Sequence, residues 1–365
     1  MVLQPEVRAR HPYHMYDAVL AQPDAIERVL LAEADAAAEL ALAVAQADAV
    51  HVVGIGTSWH AALVGERLLR SAGGHPGVRA WNSFEFSLDP PPLSERDLVI
   101  LMSHRGTKRY SAQALALARA KGARTGVVTA IESAIGNGDA DHVVRTCEPE
   151  RSAAFTVSHT AALTALAMTA ARLGEANGVA GTDALAGAVE QIHVLTEWGL
   201  ATEPTVRRLT ERVDPAAFFV FAGAGANAST AMEAALKMSE ANYARAAGYD
   251  LEQFLHGPFV AIDHSAVVTL IAAGAARDRA LDIAAAARET GAYVVVLAPE
   301  ADRQALALAD APIAMPEVPE ALTPIVYLGP LQLTAYWLAA RRGVNPDRFR
   351  LDDPAHLAAR EHYSL

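Results

Sequence analysis

Apolar residues in this chain gather in short runs, separated by longer stretches in which alanine and leucine recur at helical spacing. Four runs stand out in the first half: His51-Val52-Val53-Gly54-Ile55-Gly56, Leu98-Val99-Ile100-Leu101-Met102, Gly126-Val127-Val128-Thr129 and Val143-Val144-Arg145. Each leads into an Ala-rich amphipathic segment. Apolar β-branched runs alternating with helices predict βαβ units around a buried parallel sheet. The second half repeats the pattern with Phe218-Phe219-Val220-Phe221-Ala222-Gly223, Ala266-Val267-Val268-Thr269-Leu270-Ile271, Tyr293-Val294-Val295-Val296-Leu297 and Pro312-Ile313-Ala314-Met315. Matching runs start about 167 to 169 residues apart, which identifies an internal duplication.

The glycines repeat as well: Gly54-Ile55-Gly56-Thr57-Ser58 in one half, Gly223-Ala224-Gly225-Ala226-Asn227 in the other. The expected fold is therefore α/β, with two duplicated doubly wound parallel-sheet domains of flavodoxin-like type. An N-terminal helical arm covers 1–46, the first domain 47–200 and the second 201–343. The connector runs through Glu175–Thr205, mostly helical and punctuated by Gly181-Thr182 and Pro204. Gly343-Val344-Asn345-Pro346-Asp347 ends the last helix, and the polar tail, 344–365, is expected to be extended and laid over a site.

Composition narrows the partners. A chain of 365 residues can bury two ordinary cores. Its net charge of −12 argues against nucleic acid, which calls for a basic stripe. The single cysteine, Cys147, rules out a disulfide framework within one chain and any multi-cysteine metal site. It reads as buried filler at the end of an apolar strand. The start carries no signal-peptide pattern, and no apolar run reaches the length of a membrane span. A cytoplasmic protein with no membrane partner is expected.

Ligands of an open α/β sheet bind beyond the carboxyl ends of its strands. After the first run, Gly56 permits a tight turn while Thr57 and Ser58 supply hydroxyls and cap the next helix. A capped helix with no ligand is the competing reading. The dinucleotide fingerprint is absent, since no third glycine follows at the right spacing. After the second run comes Ser103-His104-Arg105-Gly106-Thr107-Lys108, with hydroxyls, a glycine and cations at the start of a helix. Cations there oppose the helix dipole, and a bound anion would turn that cost into an asset. The alternative is a solvated basic turn.

In the second half Glu233, Lys237 and Glu240 stand at i, i+4 and i+7 and share one helix face. An exposed ion pair worth well under 1 kcal/mol is the default reading of such spacing. Further on, His256 sits in Leu255-His256-Gly257-Pro258, a backbone break before an expected strand, Phe259-Val260-Ala261-Ile262. A carboxylate with an imidazole is what proton transfer between adjacent sugar carbons requires. The thirteen histidines are scattered without metal-ligand spacing, and Gly-x-Ser-x-Gly does not occur. No metal or organic cofactor is expected.

These residues resemble the tandem sugar-isomerase (SIS) domain family, in the form found in the isomerase half of glutamine–fructose-6-phosphate amidotransferases. The resemblance is carried by Glu233-Ala234-Ala235-Leu236-Lys237-Met238-Ser239-Glu240, like Glu-Gly-Ala-Leu-Lys-Leu-Lys-Glu, together with His256-Gly257-Pro258. His14-Met15, Gln22-Pro23, Gly56-Thr57-Ser58 and Ala154-Phe155-Thr156 add weaker matches. The resemblance implies roles. Glu240 would move a proton between C1 and C2, and Lys237 would orient or stabilise the enediol oxygens. His256 would open the sugar ring from the neighbouring subunit of a homodimer. Gly56, Thr57, Ser58, Ser103, His104, Arg105, Gly106, Thr107 and Lys108 would hold the phosphate.

The chain also departs from the family. The family loop Ser-Gln-Ser-Gly-Glu-Thr has Arg105, Thr107 and Lys108 in place of its second Ser, its Glu and its Thr. Such cations could grip phosphate, admit another anion, or close the pocket. Pro149-Glu150-Arg151-Ser152-Ala153 replaces Val-Ala-Ser-Thr-Lys, and the tail lacks the family's Schiff-base lysine. Arginine cannot form that adduct at neutral pH, which speaks against covalent activation through the tail. No counterpart of the glutaminase half is recognisable, so glutamine-dependent synthesis by this chain alone is not expected. The leading expectation is a phosphosugar isomerase or an amino-sugar-phosphate deaminase/isomerase working through an enediol or enolamine. The alternatives are a non-catalytic sugar-phosphate-binding regulator and an enzyme whose anionic group is a carboxylate or sulfate.

Overall fold

The computed structural model describes residues 6–363. Three helices form the arm: α1 (His14–Leu20), α2 (Gln22–Ala32) and α3 (Ala34–Ala45). The first domain follows as β1 (Val50–Gly54), α4 (Thr57–Arg67), β2 (Val78–Asn82), α5 (Ser83–Leu88), β3 (Leu98–Met102), α6 (Arg109–Ala120), β4 (Arg124–Thr129), β5 (His142–Arg145) and α7 (Val157–Asn177). Helices α8 (Thr182–Glu190), α9 (Ile192–Leu200) and α10 (Glu203–Arg212) make the connector.

The second domain begins with β6 (Phe218–Gly223), α11 (Ala226–Asn242), β7 (Ala246–Asp250) and α12 (Leu251–Leu255). It continues with β8 (Ala266–Ile271), α13 (Arg277–Glu289), β9 (Tyr293–Pro299), α14 (Arg303–Ala307) and β10 (Ala311–Met315). Helices α15 (Thr323–Val326) and α16 (Leu328–Arg342) follow, and α17 (Pro354–Ala359) lies in the tail.

Both sheets are parallel and five-stranded, in the order β2-β1-β3-β4-β5 and β7-β6-β8-β9-β10. Each strand of the second sheet starts 168 or 169 residues after its counterpart. The eight anticipated runs are all strands. The edge strands β2 and β7 were not legible: β2 reads Val78-Arg79-Ala80-Trp81-Asn82 and is mostly half-exposed, and β7 is half-exposed throughout. An edge strand pairs on one side only, so it need not carry a run of buried β-branched residues. In β7, Gly248 is dictated by packing, because a Cβ there would lie 2.5 Å from the Ala231 carbonyl oxygen.

Phe259–Ile262 is not a strand. Pro258–Ala261 forms a 3₁₀ turn and leaves Val260 89% exposed. The tail is not extended either, because α17 and a 3₁₀ turn at Arg360–His362 fill its second half. Its first half is fastened down. The Asp347 carboxylate accepts from the amides of His14 and Met15, both at 2.9 Å, and its carbonyl accepts from Ala153 N at 3.2 Å.

A continuous core runs between the two domains. Leu40 and Val44 of the arm, Leu163 and Leu166 of α7, Ala234 and Met238 of α11, and Leu331 and Leu338 of α16 are all buried in it. Smaller cores lie on the outer faces, against α5 and α6 in the first domain and α12 to α14 in the second. The helical layer between the sheets fixes α4 against α11, and both helices begin at the carboxyl ends of first-position strands. Replacing fully buried Leu166 by Ala should cost about 2–5 kcal/mol, transfer and cavity terms together. Urea denaturation reads this directly, and a loss under about 1 kcal/mol would contradict a shared, tightly packed interdomain layer.

Candidate active site

Three chain segments converge where α4 meets α11. The first is the β1–α4 turn, where Gly56 has φ 60° and Thr57 and Ser58 open the helix. The second is the β3–α6 loop. Its Gly106 has φ 71°, and a Cβ would come within 2.8 Å of Ile135 and Ser133 side chains, so no other residue fits. The third is the face of α11 that bears Glu233, Lys237 and Glu240.

The helical spacing was legible, but the solvated ion-pair reading fails. Glu233 and Lys237 are fully buried. The Lys237 ammonium donates to Thr57 Oγ1 at 3.0 Å and pairs with Glu233 Oε1 at 3.3 Å and with the Glu240 carboxylate. Thr57 Oγ1 donates to Glu233 Oε1 at 3.2 Å, and His60 Nδ1 lies 2.6 Å from Glu233 Oε2. One carboxylate is thus fastened to α4 of the other domain by two side chains.

Burial works against every charge here, and the partners decide the outcome. Burial would lower the Lys237 pKa, but Glu233 and Glu240 outweigh it and hold the ammonium above its usual range. Burial would raise Glu233; Lys237, His159 and His60 together bring it down to about 2. Glu240 goes the other way. Burial raises its pKa, Lys237 opposes this, and the charge of Glu233 adds to the rise. The carboxylate at the edge of the cluster is therefore the more basic of the two.

Beside the cluster lies a small cavity of about 20 Å³, lined by Thr57, Ser58, Ser103, His104, Thr129, Thr146, Phe155, Ser158 and His159 among others. Two of the six residues of the anticipated anion loop belong to it and four do not. Ser103 and His104 face the cavity; Arg105, Gly106, Thr107 and Lys108 are not among its lining. Arg105 instead donates from Nη2 to the Glu150 carbonyl at 2.9 Å, with its guanidinium 5.0 Å from the Phe155 ring centre. Lys108 precedes α6. Its pKa is lowered by burial and by Arg105 and Arg360, against the pull of Glu240.

His256 stays outside this cluster within the protomer. Its side chain is 71% exposed and its Nε2 lies 3.2 Å from Glu252 Oε1. Cys147 is buried, and burial above all pushes its thiol up to about 12, far from a nucleophile's range.

Sequence reasoning missed three participants. His60 could have been found, since it lies one helical turn beyond Thr57 and so shares its face. Glu150 left no such signal: it is buried, and its carboxylate accepts from Thr156 N at 2.9 and 3.0 Å and from Ser158 N at 2.9 Å, capping α7. Nor did His159, in the first turn of α7. It is 4% exposed, and burial foremost holds its imidazole down to about 4.

Removing one partner from a buried ion pair strands the other charge, so Glu233→Gln should cost about 3–5 kcal/mol at pH 7. The sign with pH follows from the depressed carboxyl. Its contribution is complete above the unfolded value near 4.5 and is lost as pH falls towards about 2. Denaturant midpoints of wild type and variant should therefore converge over that window. A constant difference down to pH 2 would contradict the ion pair.

Comparison with known proteins agrees with this architecture. The SIS domain matches residues 43–172 and 218–342. Glutamine–fructose-6-phosphate aminotransferase (isomerizing) of Thermococcus kodakarensis is 32% identical over 350 residues, covering 94% of this chain and 58% of the relative. The chain thus spans little more than half the length of that relative. The C-terminal domain of glucosamine-fructose-6-phosphate aminotransferase from Francisella tularensis superposes with a TM-score of 0.82 at 18% identity, over 92% of this chain and 98% of that one. Tagatose-6-phosphate ketose/aldose isomerase from Escherichia coli gives 0.74 at 21%, over 94% and 97%. At these identities the two structures speak for the fold. With both copies matched by the domain family and a relative above 30% identity along nearly the whole of this chain, the chain is a member of the SIS-domain family, homologous to the isomerase half of glutamine–fructose-6-phosphate aminotransferase.

Proposed function

We propose that the chain is a phosphosugar isomerase or an amino-sugar-phosphate deaminase/isomerase that moves a proton between adjacent carbons through an enediol or enolamine. The observation that carries this reading is the pairing of a basic, partly exposed Glu240 with a buried ammonium, one hydrogen bond away from a hydroxyl-lined cavity. Thr57 is the link, touching Lys237 on one side and lining the cavity on the other.

In this reading the phosphate sits against Ser58, Ser103 and His104, and the sugar extends over Thr57 towards α11. Glu240 takes the proton from one carbon and returns it to the next. Its raised pKa makes it a stronger base than an ordinary carboxylate. Lys237 holds that carboxylate in place and offsets negative charge as it develops on the enediol oxygens. Ring opening falls to His256 of a second copy in a homodimer. Its exposure here, beside exposed Val260, leaves it available to a neighbour. The tail, 344–365, would lie over the site, consistent with Arg360 being felt at Lys108. No metal or organic cofactor takes part, and the setting is the cytoplasm. Names of relatives that act on fructose 6-phosphate or tagatose 6-phosphate support the substrate class.

Glu240→Gln removes the base and keeps the shape. In deuterium oxide, incorporation at C2 of a turned-over hexose 6-phosphate should fall by about 10²–10⁴-fold, while calorimetric affinity changes little. Exchange at the wild-type rate would remove Glu240 from the mechanism. Tight binding by wild type with no exchange on a panel of hexose and amino-hexose 6-phosphates would favour a sugar-phosphate sensor instead.

A further inference from the structure

The cavity beside Thr57 has a charge balance that its hydroxyl lining conceals. It offers about 20 Å³ to the centre of a water-sized atom, room for one water or for the tightly spaced oxygens of one tetrahedral oxyanion. An anion there needs donors and a counter-charge. Several of the hydroxyls are already committed. Thr57 donates to Glu233, Thr129 donates to the Ser103 carbonyl at 2.6 Å, and Thr146 donates to the Thr129 carbonyl at 3.0 Å. Ser58 and Ser103 make no side-chain hydrogen bond among the described residues.

The cations are committed too. Lys237 donates to Thr57 and Glu240 and is ion-paired with Glu233, so its charge is already matched. Arg105 is turned outward onto the Glu150 carbonyl and Phe155. Among the described residues no lysine or arginine lines the cavity.

Two imidazoles remain. The Glu150 backbone amide donates to His104 Nε2 at 3.1 Å, which leaves that nitrogen bare and puts the proton of the neutral ring on Nδ1. His104 Nδ1 is buried and has no partner among the described residues. His159 also lines the cavity, and its Nδ1 is likewise buried with no partner among the described residues. Both residues line the void, and each carries a buried ring nitrogen with no partner among the described residues, a cost that a polar occupant reaching it would relieve.

We propose that His104 and His159 are ligands of the oxyanion in this cavity, and that the anion enters together with one proton, carried by His159. His104 serves as a fixed neutral donor through Nδ1–H. His159 supplies the positive charge that no lysine or arginine lining the cavity provides. The proposal rests on reading the cavity as the phosphate site.

The groups facing His159 set the direction of the effect. Glu233 and Lys237 face it from α11, His60 from α4, and His104 from the β3–α6 loop across the cavity. Glu240 and Glu150 lie beyond, against Lys237. Burial keeps both His104 and His159 near a pKa of about 4, so both are neutral at pH 7 without ligand. A bound anion raises the His159 value. Affinity is then highest below the free value of about 4, falls by up to tenfold per pH unit from there to the raised value, and levels off above it, for one linked proton.

Sulfate is the probe, because it stays a dianion across the range while phosphate itself titrates. Isothermal titration of the full chain in two buffers of different ionisation enthalpy should give uptake of about one proton per sulfate at pH 6.5. His159→Gln, which keeps a donor and cannot charge, should bind with no uptake and a pH-independent affinity. Equal uptake in the variant would assign the proton elsewhere, Glu240 included, and overturn the proposal. So would sulfate binding without uptake in wild type, or no sulfate binding at all. Should His159→Gln fail to fold, nitrogen-15 spectra of histidine-labelled wild type decide. His104 should read as the Nδ1–H tautomer, and His159 should turn to imidazolium at saturating sulfate; a neutral His159 in the complex refutes the idea. Sugar-phosphate turnover with these histidine signals unmoved would overturn this proposal alone, whereas sulfate and proton uptake without turnover would overturn only the enzymatic reading.

Discussion

The site depends on one buried ammonium. Lys237 is fully enclosed and sits between two carboxylates and a hydroxyl, so its charge is compensated on every side. Without those partners burial would neutralise it or expel it. With them it ties three things together. It fixes Glu240 at the rim, it holds Glu233 ionised, and through Thr57 it joins the first helix of one domain to the first helix of the other. The interdomain core supplies the enclosure, and the ion cluster supplies the registry. Neither alone would place a carboxylate beside the cavity.

Duplication explains how such a site arises from similar halves. Both copies provide a glycine turn, a first helix and a loop after the second sequence run, but they have specialised. Where the first copy has Thr57 and Ser58, the second has Ala226 and Asn227; where the second has Lys237 and Glu240, the first has Leu68 and Ser71 at the same offset of 169. The loop equivalent to Ser103–Lys108 has also changed. At Gly274 and Ala275 the chain's own Glu320 carboxylate takes the place an anion would occupy, accepting from Ala275 N at 3.0 Å. The first copy thus offers an open cavity, and the second offers the ionisable helix and a loop filled from within.

Much of this was legible from residue patterns, and the misses have physical causes. Central strands such as Leu98–Met102 announce themselves because both faces are buried. The edges β2 and β7 do not, since half-exposed edge backbone accepts Arg79 or Asn82 as readily as a β-branched residue, and β7 must carry Gly248 where α11 packs against it. Phe259–Ile262 has strand-like composition, yet Gly257 at φ 127° and Pro258 set up a turn instead. On α11 the spacing gave the shared face, but an exposed pair and a buried triad have the same spacing; only the helices packed against it decide between them. The division of the Ser103–Lys108 loop was hidden for a similar reason. Arg105 leaves the cavity because Phe155 and the Glu150 carbonyl, some fifty residues on, hold it.

A crystal structure of the chain with a hexose 6-phosphate bound tests the central claim, that both copies build one site. The account predicts the phosphate in the cavity against Ser103, His104 and His159, with the sugar's first two carbons beside Glu240. Phosphate held at Arg105 and Lys108 with the cavity left to water, or a sugar bound away from Glu240, would contradict it.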